Sequence, residues 1–168
     1  MKRSLVFLSL CCVLMVGVCA MGAAATNFAG TWSLDKAKSE GLQGPMASID
    51  QTWAVTQDAK TLNVEVSYSG GDQPRPPVKR TYNLDGSETT QEITGRMSGK
   101  AALKAKWQGD GKVLELSSVL KTNVQGNDVT ITTTEHWELA DGGKTLKVHR
   151  KQETPRGTQE TTLVLAKK

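Results

Sequence analysis

Beyond its first 25 residues the chain contains no cysteine, because Cys11, Cys12 and Cys19 are the only three it has. That excludes disulfides, thiol nucleophiles and cysteine metal sites from everything that follows the leader. Histidine is almost as scarce, with only His136 and His149. A Ser or Cys nucleophile needs a base and an orienting acid beside it, and few such sets can be assembled here. No phosphate-cradling glycine loop, dinucleotide fingerprint or H-E-x-x-H motif occurs, and "HWE" at 136–138 is a strand fragment. Basic residues are scattered rather than clustered, which argues against nucleic acid as a partner. No stretch after Ala25 sustains a helical i, i+3, i+4, i+7 apolar pattern over helical length. Length limits the remainder to one domain, 26–168.

The leader has a sequence logic of its own. Lys2 and Arg3 precede an apolar run from Leu5 to Ala20, and Ala23-Ala24-Ala25 offers an A-x-A exit. Residues 1–25 therefore read as a signal peptide, with cleavage after Ala25 and a periplasmic or secreted destination. The run is shorter than the roughly 20 residues that span a bilayer, so stable membrane insertion is not expected. Lipidation at Cys19 is the alternative, disfavoured by the Val16-Gly17-Val18 that precedes it. Lys2 and Arg3 take two of the 21 basic residues with them, leaving 19 against 17 acidic ones. The basic balance of the full chain nearly disappears.

What is present is alternation. Apolar and polar residues alternate in short runs bounded by Gly, Asn, Asp or Pro, and the 19 threonines after the leader favour strands. Ten strands are predicted, at 30–35, 48–57, 62–69, 77–84, 87–94, 100–108, 112–122, 128–139, 144–153 and 158–167. Steps such as Asp85-Gly86-Ser87, Gly109-Asp110-Gly111 and Asp141-Gly142-Gly143 make tight antiparallel hairpins. "DAKTLNV" at 58–64 and "GGKTLKV" at 142–148 suggest one hairpin solution used twice. The fold expected is all-β: an antiparallel up-and-down meander of eight to ten strands closed into a barrel, with a two-sheet sandwich as the alternative. Residues 36–47 have room for one helical turn with Asp35 as N-cap, and "SGGDQPRPP" at 69–77 is a loop.

The domain opens "NFAGTWSLD", with Phe28, Gly30, Trp32 and Leu34. This F-x-G-x-W-x-L pattern resembles the calycin group, lipocalins and fatty-acid-binding proteins, in its compact bacterial exported form. The resemblance implies that Gly30 and Trp32 lie on the first strand and that Trp32 closes the barrel floor. It also implies carriage of a small apolar or amphipathic molecule.

Alternation places Trp53, Trp107 and Trp137 on the inner face together with polar Gln51, Arg80, Gln91, Ser118, Glu135 and Arg150. An apolar lumen with a few polar groups is a small-molecule site. Its ligand-binding residues are expected to be Arg80, Tyr82, Arg150, Trp53, Trp107 and Trp137. Arg80 with Tyr82, or Arg150, is placed to receive a carboxylate, as inner arginines do in the fatty-acid-binding group that the chain resembles. Alternatively Arg150 pairs with Glu135 or stacks on Trp32. His136 and His149 face each other if Gly142-Gly143 is the hairpin loop, but on the outer wall, where two imidazoles make a weak metal site. An inward-turned histidine would allow haem. The expectation is a monomeric, non-enzymatic binding protein without metal or cofactor. A filled barrel acting as an envelope structural or interaction protein is the alternative.

Overall fold

A computed structural model describes residues 25–71, 75–94, 98–124 and 126–168. Residues 1–24 of the predicted leader, Cys19 among them, lie outside these residues, as does the centre of the 69–77 loop. Ten strands form a single antiparallel sheet: β1 Gly30–Leu34, β2 Asp50–Gln57, β3 Thr61–Ser69, β4 Val78–Asn83, β5 Thr89–Ile93, β6 Gly99–Gln108, β7 Val113–Val124, β8 Asn127–Ala140, β9 Thr145–Thr154 and β10 Gly157–Lys167. Their spatial order is β4-β3-β2-β1-β10-β9-β8-β7-β6-β5, so the first strand pairs with the last and the sheet curls into an up-and-down barrel. Apart from 35–49, the connections are too short for anything but antiparallel neighbours, and curling lets one apolar face bury itself. Among the described residues no helix is long and apolar enough to cross a membrane.

The hydrogen-bonded ladder does not run all the way round. β4 and β5 share no backbone pairing, and the five-residue connection between them lets two short strands diverge. Side chains lace this seam instead. The Gln91 amide donates to the Lys79 carbonyl at 2.7 Å, and its oxygen accepts from the Thr81 N–H at 3.2 Å. Thr89 Oγ1 donates to the Thr81 carbonyl at 2.9 Å. Gln91, assigned to the inner face by alternation, thus stands in for a missing peptide unit and satisfies backbone groups that an open edge would leave bare.

The predicted turn between the first two strands is built differently. Asp35 does not cap a helix. Its Oδ1 accepts from the N–H groups of Ala37 and Lys38 in a local turn, because a short carboxylate satisfies neighbouring amides at once. The single helical turn α1 is Pro45–Ser48, entered from Gly44. Between them, Glu40 exchanges backbone hydrogen bonds with Thr162 of β10, and Asp35 N–H bonds to Val164. The segment prolongs the short β1 along the wall of β10.

The turn echo is also reassigned. Asp141–Gly143 has its structural twin in Gly109–Gly111: both are 3-10 turns entered from an extended residue and closed by a lysine N–H, at Lys144 and Lys112. Each contains an aspartate at positive φ, Asp141 at 52° and Asp110 at 55°, which short polar side chains tolerate. The Asp58 turn closes by another route, its carboxylate taking the N–H groups of Lys60 and Thr61.

The core occupies the floor end, where Phe28, Trp32, Leu62, Leu103, Leu114, Leu146 and Leu165 are fully buried. The opening motif explains the plug. The Trp32 indole donates to the Phe28 carbonyl at 3.0 Å, and Lys167 Nζ sits 5.2 Å from the indole centre. Gly30 holds φ +149°, and a Cβ there would meet Lys167 Cε at 2.9 Å, so glycine is required.

Candidate functional site

Exposure changes along the lumen. Half-buried inner residues occur at both ends: Tyr68, Val78, Leu120, Thr133, Gln152 and Thr161 toward α1, where Ile49, Gln51 and Thr122 are buried, and Leu84, Trp107 and Leu139 toward the floor, with Arg80 and Arg150 half-buried between them. Polar side chains are commoner on the inner face toward the end where β2, β4, β6, β8 and β10 begin.

Between the two ends sits a charged cluster. Glu135 on β8 is opposite Arg150 on β9, and Arg150 Nε donates to Glu135 Oε1 at 2.7 Å. Trp137, two residues on and therefore on the same face, donates its indole N–H to Glu135 Oε2 at 2.8 Å. Both carboxylate oxygens are engaged. Burial alone would raise the Glu135 pKa, but the charges of Arg150 and Arg80, with the hydrogen bonds from Trp137 and Arg150, outweigh it and hold the carboxyl below its ordinary range. Burial pushes the Tyr82 phenol up; Arg80 opposes this and Glu135 adds to it.

β2 repeats the device. Trp53 donates its indole N–H to Gln51 Oε1 at 3.1 Å, again two residues back on the same face. The Trp53 and Trp137 rings touch at 5.4 Å, and the Arg150 guanidinium lies 5.6 Å above Trp53. The pairing of Arg150 with Glu135 agrees with one sequence reading. Its stacking partner is Trp53, however, not Trp32, which Lys167 occupies. Phe28 meets Trp137 edge-on at 5.8 Å and stacks on Trp107 at 6.0 Å.

The structure thus brings Arg80, Tyr82, Arg150, Trp53 and Trp137 around Glu135. Trp107 is set apart: it lies at the floor end, half-buried, lining a shallow depression of about 300 Å³ with Asn27, Gln57 and Leu84. A second depression of about 410 Å³ lies against Lys121, Thr122, Asp128 and Thr130. Neither depression is lined by the cluster residues.

Arg80 is the unpaired member. Among the described residues no carboxylate lies within ion-pair distance of it, and its Nε is buried without a hydrogen-bond partner. Gln51 Nε2 is the other orphan. Sequence reasoning placed Gln51 on the inner face but not in the site; the Q-x-W and E-x-W spacings, 51–53 and 135–137, carried the signal.

The histidines stand opposite one another, as the hairpin register implied, although the loop is longer than Gly142-Gly143. They lie on the outer wall. His136 Nε2 is 3.2 Å from Glu115 Oε2, and His149 Nδ1 is 3.1 Å from Thr162 Oγ1, so the rings turn to opposite sides. Among the described residues no group of three or more His, Cys, Asp or Glu is placed to hold a metal.

No family model matches the chain, and no curated protein matches it. Among solved structures it is similar to zebrafish ileal bile-acid-binding protein complexed with cholic acid, with a TM-score of 0.53, 14% identity, and coverage of 84% of this chain and 98% of that one. At that identity what is shared is the fold, an antiparallel up-and-down β-barrel.

Proposed function

We propose that the chain is an exported, non-enzymatic barrel that binds a small amphipathic acid in the α1 half of its lumen, with the acidic end at Arg80. One observation carries this reading: a half-buried guanidinium inside the barrel whose Nε is buried and unpartnered, while the nearby carboxylate Glu135 is already engaged by Arg150 and Trp137. Buried cations are ordinarily paired, and a ligand carboxylate supplies the missing partner in bidentate geometry. The floor plug of Phe28, Trp32, Trp53 and Trp137 confines the site to half the barrel. The structural neighbour, solved with cholic acid, supports small-molecule binding in this fold. The signal peptide at 1–25 supports export.

The test is titration of the purified domain with fatty acids, retinoids and hydrophobic dyes, followed by tryptophan emission. Trp53 lies under Arg150 and beside Gln51, so occupancy alters its emission. Binding that Arg80→Met abolishes supports the reading. A panel giving neither an emission change nor heat at micromolar ligand overturns it. The filled lower lumen favours a second reading, an envelope interaction protein without carriage. Native mass spectrometry of protein from its own host separates the two: a co-purified small molecule supports carriage, and its absence supports the filled barrel.

A further inference from the structure

Gln51 is 2% exposed on the lumenal face of β2, and its amide orientation is fixed by chemistry rather than by choice of fit. An indole N–H can only donate, so the amide atom facing Trp53 Nε1 must be the oxygen. That leaves the Gln51 NH2 as the group without a partner. Among the described residues, the two buried side-chain polar atoms lacking a hydrogen bond are this amide nitrogen and Arg80 Nε, and both are donors. Glu135, the buried carboxylate of this cluster, already accepts from Trp137 at one oxygen and from Arg150 at the other. An unmade buried hydrogen bond is costly, and retaining two of one polarity identifies the complement as a group of acceptors.

The two donors do not share an attachment point. Gln51 is level with Tyr68 on β3, whereas Arg80 is level with Val64 and lies two strands away. Val64 and Tyr68 are about 13 Å apart along the strand. The backbones that carry the two donors thus sit at different levels of the barrel wall. Resting on the reading that an acid binds at Arg80, we propose that Gln51 is a second recognition point, selecting acids that carry a further acceptor oxygen, a hydroxyl or carbonyl, on the body of the molecule. An unsubstituted alkanoic acid satisfies Arg80 and leaves the Gln51 amide bare. A substituted one satisfies both, and sites built around a buried polar group reject ligands that fail to meet it.

The experiment compares stearic acid with mid-chain hydroxystearic and oxostearic acids by calorimetry on the signal-free chain. Wild-type protein is expected to bind the oxygenated acids at least about tenfold more tightly, the factor that one added hydrogen bond supplies. Gln51→Glu keeps the acceptor for Trp53, and so the fold, but removes the donor; Gln51→Met removes both. In each variant the ratio between oxygenated and plain acid should fall to about one. Stearate binding with a wild-type ratio of one, or a ratio that survives both substitutions, overturns the role of Gln51 and leaves the Arg80 site standing. No binding of any acid, or binding unchanged by Arg80→Met, overturns the underlying reading instead.

Discussion

Replacing Glu135 by glutamine removes one charge from the centre of the barrel and almost no volume. Glu135 is 8% exposed and holds Arg150 Nε at 2.7 Å and the Trp137 indole at 2.8 Å. The amide keeps one oxygen for one of these donors and turns an NH2 toward the other. Arg150, 22% exposed, then lacks its counter-charge, and Arg80 loses a carboxylate whose field it shares. Breaking a fully buried pair from one side costs roughly 3–5 kcal/mol, and the partial exposure of Arg150 brings the expectation to about 2–3 kcal/mol at pH 7. For a domain of this size each kcal/mol lowers Tm by about 2–4 °C, so a fall of about 5–10 °C is expected. Urea unfolding followed by tryptophan emission measures it. The sign with pH is fixed. A carboxyl whose folded pKa lies below its unfolded value stabilises fully above the unfolded pKa of about 4.3, and that contribution is lost as pH falls through the folded value. The wild-type advantage over Glu135→Gln should therefore be constant near neutrality and shrink below about pH 4. Equal stability at pH 7, or a gap that widens in acid, refutes the account of the cluster.

The other consequences are testable in the same apparatus. Arg80→Met should change stability by less than about 1 kcal/mol while abolishing ligand binding, because among the described residues Arg80 has no ion-pair partner; a large destabilisation contradicts its assignment to the ligand. Gln91→Leu removes both amide links across the β4–β5 seam and should cost about 1–3 kcal/mol, with faster hydrogen exchange at the Thr81 amide as its signature. Gly30→Ala forces a side chain into positive φ against Lys167 and should cost about 1–3 kcal/mol, read as a lowered Tm; no change means the β1 entry relaxes freely.

Much of the barrel was legible because alternation is a property of single strands. The inner assignments of Trp53, Arg80, Tyr82, Glu135 and Arg150 follow from a period of two, and symmetry about a turn sets the opposition of His136 and His149 even with a longer loop. What alternation does not encode is what lies across the lumen or beyond the next turn. It gave Gln91 an inner face but not the seam it laces, since that depends on two strands failing to pair. It put Trp107 with the other tryptophans, although its place near the end of β6 sends it to the floor beside Phe28. The orphan amide of Gln51 was beyond it as well, because only the indole of Trp53 decides which end of the amide is free.

The pairing of β1 with β10 also sets an order of events. The register joins Trp32 to Lys167 and Leu34 to Leu165, so the wall closes only when the last strand arrives. Hairpins from β2–β3 to β8–β9 assemble from neighbours in the chain, but the floor plug of Trp32, capped by Lys167, waits for the carboxyl terminus. Contacts of such sequence separation are slow to form. A chain synthesised from its amino end thus remains open-walled until β10 has been made. Deleting residues 165–168 would remove a closing contact of the wall rather than trim a tail.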